Sequence, residues 1–438
     1  MLVLPLALAL LPACIPHKDL PTGDSSADSG TAAPSFTSEQ LWSANDDWEP
    51  AIAADPNSSW VYQATTRIDQ NLGGTIVVRT SSDGGVTWGA DQVVSDSYST
   101  YDPQLAVASG TGCVYVTLLG GAGGWSTYVR QSCDNGATWT DESPIAPDDW
   151  TTDHGWLLVS PDGDDVYVAF NATPPETPGD AGVGYVAVSH DAGQTFTQVH
   201  VTGDGTLYNF EYSAAMAPDG TIYVANGEFS QDYTGPAPLV LWRSSDKGAT
   251  WETATVATSQ APADCAWADG CTFGFLAAQS AVAVDPSGSV LFLYSKNDAD
   301  GQNMQVYATT SPGGSDWDFF SAPIALGVHG NNGFVTAEAG PTAGDFRVGW
   351  QGSADGPDPA TWNTWYQRTE DDGTTWLSDP IKLSDLATGA PYKRDVGYAF
   401  PYGDYFDMSV DGEGVNHIIW AEGASWTGPG GTWWTNGI

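Results

Sequence analysis

The phrase Ser-x-Asp-x-Gly-x-Thr-Trp returns along this chain at intervals of roughly fifty residues, and no other feature constrains the fold as much. Clear copies run from Ser81 to Trp88, Ser132 to Trp139, Ser189 to Phe196, Ser244 to Trp251 and Thr369 to Trp376, and a worn copy ends at Trp317. The spacing assigns each part a job. The aspartates Asp83, Asp134, Asp191, Asp246 and Asp371 accept hydrogen bonds from their own turn, the glycine takes a positive φ, and the aromatic packs under a sheet. A hairpin turn repeated at this period implies small antiparallel sheets arranged radially.

These octapeptides resemble the Asp box, or BNR repeat, of the sialidase superfamily, and the resemblance covers roughly residues 36 to 436. It implies an all-β propeller. It implies less about activity, because in that family the box staples a blade away from the active face.

Each box is preceded by two further strand signals joined by a turn of the Asp-Pro-x-Gly kind. First strands are expected near residues 49, 102, 155, 210, 278, 331 and 403, which makes seven blades. The seventh unit ends before it can supply an outer strand, while Phe36 to Trp42 has no partner of its own. The sequence therefore predicts that this N-terminal strand completes the last blade and removes a free edge. A six-bladed ring of the sialidase kind, with one unit as an insertion, is the alternative.

The domain reading places a lipoprotein-type signal at residues 1–14, a Ser/Asp/Gly-rich tether at 15–35 and the propeller at 36–438. Cys14 closes an apolar run that resembles a lipobox, so lipidation there and an extracytoplasmic location, at the cell surface or secreted, are expected. The other four cysteines are even in number. Cys113 and Cys133 flank one hairpin turn and are expected to pair, and Cys265 with Cys271 to close a small loop.

The formal net charge of -42, from 54 acidic and 12 basic residues, excludes a nucleic-acid partner and direct binding to an anionic membrane. Contact with a membrane is expected only through the lipid anchor, and the chain reads as a monomer.

The sialidase resemblance implies specific chemistry. Tyr405 stands where the family carries its nucleophile, Glu211 where it carries the activating carboxylate, Arg67 where one substrate-binding arginine lies, and Asp69 near the usual acid. The family's other arginines are missing, and the loop Gln351 to Pro359, where the third would be sought, has no basic residue. Trp48 occupies the first position, and Ala225-Asn226-Gly227 occupies the second. Arg394 is the candidate replacement. With one family guanidinium among so many carboxylates, the sequence favours a binding module for glycans or another extracellular macromolecule, or a glycosidase without the arginine triad. An exo-sialidase and an envelope scaffold are the alternatives.

Inner strands open with Glu49, Asp102, Asp153, Glu211 and Asp404, so carboxylates are expected to ring the tunnel mouth. No cofactor is required by this reading. Calcium would suit such oxygen ligands. Trp48, Tyr101, Trp150, Tyr208, Phe210 and Tyr405 would supply rings for sugar stacking or simply cap the blades.

Overall fold

The computed structural model describes residues 34–438 except 44, 46, 70–71, 96–98, 121–124, 176–181, 204–205, 231–234, 261–277, 298–303, 328–331, 353–360, 385–389, 392–404 and 424–429. Cys14, Cys265, Cys271, Arg394 and Asp404 fall outside the described residues.

Seven antiparallel sheets make up the fold, one per blade. Their inner strands begin at Asp47, Thr100, Thr151, Leu207, Ser280, Asn332 and Asp407. Blades one to six run inner to outer in chain order. The seventh is assembled from both ends of the chain, with Asp407–Val410 innermost, then Asn416–Gly423 and Gly430–Gly437, and the N-terminal strand Gln40–Ser43 outermost. Gln40 pairs with Trp434 and Leu41 with Trp433. The fold is thus the seven-bladed propeller with N-terminal closure, and six blades are ruled out.

Hydrophobic cores lie between neighbouring blades rather than inside them. Ala51, Ile76 and Val78 of blade one meet Leu105, Val114 and Val116 of blade two, and Ile52 and Val61 meet Ile419 and Trp434 across the closing seam. Small residues such as Ala51, Ala53 and Ala54 suit the inner strands, where seven sheets converge on an axis.

The boxes lie at the ends of third strands, on the face opposite the starts of the inner strands. In blade one, Asp83 Oδ1 accepts the Thr87 N–H at 2.8 Å, Oδ2 accepts the Thr87 hydroxyl at 2.6 Å, and the Ser81 hydroxyl accepts the Gly85 N–H at 2.9 Å. The same set recurs at Asp134, Asp191, Asp246 and Asp371. The worn copy has a short 3-10 turn, Gly314–Asp316, instead, yet Trp317 still packs into the core.

Cys113 and Cys133 form a disulfide across the hairpin of blade two. No helix among the described residues is long and apolar enough to cross a membrane.

Candidate functional site

Where the inner strands begin, their backbones kink. Glu49 and Asp102 have φ of 52°, and His154 and Phe334 have φ of 40°. At each, the pairing with the second strand slips by a bulge, and blade four slips at the same place, between Glu211 and Ser213. A left-handed non-glycine residue costs roughly 1–2 kcal/mol, so its recurrence at equivalent points of the ring marks a shape that the surroundings enforce. In blades one and two the kink falls in an aromatic-acid-proline triplet, Trp48-Glu49-Pro50 and Tyr101-Asp102-Pro103.

These kinks gather four carboxyl groups at the tunnel mouth. Glu49 Oε2 accepts the Asp102 N–H and the Thr66 hydroxyl, both at 3.3 Å. The neighbouring Asp102 side chain and N–H favour the charged form of Glu49 and so oppose the effect of burial. Burial raises Glu49, and the charge of Asp153 adds to the effect. Burial raises Asp153 too, against the Tyr208 hydroxyl that donates to its Oδ2 at 2.7 Å. Glu211 is 0% exposed and neither of its carboxyl oxygens has a hydrogen-bond partner. Burial pushes it well above the ordinary carboxylate range, with Asp153 adding to the shift.

His154 sits among these acids as a neutral base. It is buried, its Nε2 has no partner, and burial lowers its pKa to about 3. Its ring stacks on Phe210 at 4.9 Å and meets Tyr405 edge-on at 5.0 Å. Tyr405 reaches from the lead into blade seven across to blades two and three, where its hydroxyl donates to the Pro103 carbonyl at 3.5 Å. The mouth therefore sets carboxyl groups raised by burial against aromatic rings. Such a place offers hydrogen bonds and proton transfer more readily than fixed charge.

The other residues singled out in the sequence are distributed differently. Arg67 is held by Asp47, Nε to Oδ1 at 2.9 Å and Nη2 to Oδ2 at 3.1 Å, and its Nη1 reaches Asp91 at 2.8 Å. Two carboxylates thus occupy the donors that a substrate carboxylate would need. Asp69 is exposed at the tip of a hairpin, where its Oδ1 accepts the Leu72 N–H. Trp48 is half-buried, and its carbonyl accepts the Thr65 hydroxyl. Glu211 and Tyr405 share the mouth through Phe210 and His154 without a hydrogen bond between them.

Every other described arginine is also engaged. Arg79 bonds Gln63 and lies over Trp42 and Trp88, Arg130 donates to the Thr140 and Val94 carbonyls, and Arg243, Arg347 and Arg368 pair with Glu252, Asp345 and Glu370. Among the described residues, no group of three or more His, Cys, Asp and Glu side chains is arranged to hold a metal ion.

Behind the mouth runs a channel of about 650 Å³, walled by residues such as Leu158, Ala214, Val282 and Val335. Two acids line it. Glu338 keeps some accessible surface toward the lumen, yet protein surrounds it and burial raises it to about 8, with Asp407 adding to the shift. Burial likewise raises Asp407 to about 7. Neither these acids nor His154 stood out in the sequence. The repeated aromatic-acid-proline triplet was the one signal pointing at the kinks.

No protein-family model and no curated protein matches the sequence. Solved structures do share the fold. A polysaccharide lyase described as an ulvan lyase aligns with a TM-score of 0.55 at 10% identity, over 91% of this chain and 95% of its own. A protein of unknown function from Dyadobacter fermentans aligns at 0.51 and 16%, over 78% of this chain and 100% of its own. The NanB sialidase of Streptococcus pneumoniae aligns at 0.47 and 11%, over 90% of this chain and 68% of its own. The chain is a seven-bladed β-propeller, similar in fold to the polysaccharide lyase and the Dyadobacter protein.

Proposed function

We propose that the tunnel mouth is a glycan site, and that the sugar unit it takes carries no carboxylate. The observation that carries this reading is Glu211, whose two oxygens are fully buried without a partner beside Asp153 and the Phe210, His154 and Tyr405 rings. A buried acid left unsatisfied is costly, and a hydroxyl-rich ligand that displaces the rings covering it would relieve that cost. An anionic sugar would instead find the Arg67 guanidinium already paired with Asp47 and Asp91. For that reason a sialic acid ligand is disfavoured. The ulvan lyase binds the acidic polymer -[GlcA(1-4)Rha3S]-, and the likeness to it extends to the fold alone.

One observation favours hydrolysis as a second reading. Burial raises Glu211 well above the ordinary carboxylate range, the direction a general acid needs, with Asp153 nearby as the candidate base. The disulfide and the acidic surface suit an oxidising compartment outside the cytoplasm. A glycan array, with Glu211→Gln and Tyr405→Phe beside the wild type, tests the proposal. Binding of uncharged glycans lost in Glu211→Gln supports it. Selective binding of sialylated glycans, or release of sialic acid abolished by Tyr405→Phe, would reverse it.

A further inference from the structure

Beside the acidic mouth stands an aromatic shelf. Trp125, at the rim of blade two, is 51% exposed, and its ring lies 5.6 Å from that of Tyr101 at an angle of 47°. A tryptophan half open to water beside a second ring offers an apolar face on which a ligand can pack.

The shelf is held in place from two sides. The Tyr101 hydroxyl accepts the Gly74 N–H at 3.2 Å, and a Cβ at residue 74 would fall 2.6 Å from the Tyr101 ring, so only glycine lets that ring lie there. The Trp125 carbonyl accepts the Thr152 N–H at 3.0 Å. Thr152 directly precedes Asp153, and Tyr101 directly precedes Asp102. Both rings are thus anchored one residue from a carboxyl of the mouth, on neighbouring blades.

Stacking rings next to hydrogen-bonding acids give an extended site with two kinds of contact. A pyranose presents an apolar C–H face that packs on an indole, while its edge hydroxyls need polar partners. One sugar unit in the mouth cannot also cover Trp125 at the rim. We propose that Trp125 and Tyr101 form an outer subsite, so that the ligand is a chain of several uncharged sugar units running from the carboxyl cluster over the rim of blade two. This inference rests on the glycan reading of the mouth and adds the length and path of the ligand.

The test is a calorimetric titration of wild-type protein with gluco-, xylo- and manno-oligosaccharides of one to six units. The readout is the ratio of hexamer to monomer affinity. In the wild type this ratio is expected to reach at least about tenfold, the equivalent of 1.4 kcal/mol. Trp125→Ala should reduce it by about that factor, Trp125→Phe should restore most of it, and Glu211→Gln should weaken every length alike. Because Trp125 is exposed, the variant is expected to fold, which an unchanged Tm verifies. A Trp125→Ala protein that keeps the full length dependence overturns the shelf and leaves the mouth standing. A wild type that binds none of the series overturns the glycan reading and the shelf with it.

Discussion

Asp407 in the last inner strand accepts the backbone N–H of Ile52 in the first at 2.9 Å, so one carboxyl group spans the seam where the ring closes. Ser409 does the same for Ala54 at 3.0 Å. The bond sits in a place that raises Asp407 from 3.8 to about 7 by burial, while Glu338 and Glu422 rise from 4.5 to about 8 for the same reason. Groups raised on folding bind more protons folded than unfolded. Their contribution is complete below about pH 4 and is lost as pH climbs through about 7 to 8. The box aspartates oppose this at the acid end. Hydrogen bonds from Thr138 and Thr195 lower Asp134 and Asp191 to about 2, so their contribution holds above about pH 4 and is lost as pH falls through 2. Stability should therefore peak between about pH 4 and 6. Calorimetric Tm values from pH 2 to 10 check this, and Asp407→Asn, which keeps an acceptor for Ile52, should flatten the alkaline arm. A Tm that does not change between pH 5 and 9 would refute the assignment.

Removing residues 34–46 should expose the outer edge of Gly430–Gly437, which now pairs with Gln40–Ser43. A free edge next to an aromatic core invites pairing with another chain. The shortened protein is expected to melt earlier and to associate, as seen by light scattering. A monomer with wild-type Tm would show that closure contributes nothing.

Glu211→Gln replaces a buried acid by a neutral side chain of similar volume. Since burial holds the Glu211 pKa high, the wild type must keep a proton there or bury a charge as pH rises. The variant should be the more stable protein at pH 8, with the advantage vanishing near pH 4. Parallel melting curves at the two pH values decide the matter.

Gly248→Ala should destabilise the fourth box by at least about 1 kcal/mol. The residue has φ of 80°, and a Cβ would lie 2.8 Å from Val188 Cγ2 in the neighbouring blade. Urea unfolding of the variant measures the loss. No change in midpoint would mean that the turn relaxes freely.

Replacing Cys113 and Cys133 by serine should cost up to about 3 kcal/mol, the loop entropy expected for the sequence separation of 20 residues. A matching fall in Tm is expected when the wild type is reduced. Insensitivity to reductant would mean that the hairpin register alone holds this blade.

Legibility in the sequence followed the range of the interactions. The box is written locally, since all its hydrogen bonds close within four residues, and that made Asp83 and its counterparts readable. Blade count followed from strand starts near 49 and 102, close to the observed Asp47 and Thr100. The capture of Arg67 by Asp47 and Asp91 could not be read, because it depends on how one blade folds back on itself. His154 looked like a residue of an ordinary strand, and its contacts with Phe210 and Tyr405 come from blades far apart in sequence. Glu338 and Asp407 were hidden for the same reason, since only the converging ring brings them to one lumen.

The seam has a consequence for how the chain comes into being. Thr37 and Thr435 share a hydrogen bond across a separation of 398 residues, so the segment that carries Thr37 is made before all seven inner strands and waits for the strand that carries Thr435 to find its neighbour. Six wedges can assemble in order as they leave the ribosome, while the seventh cannot be finished until Gly430–Gly437 has emerged. Final closure is then the slow, exposed moment of its biogenesis, when an unfinished ring is most open to a foreign strand.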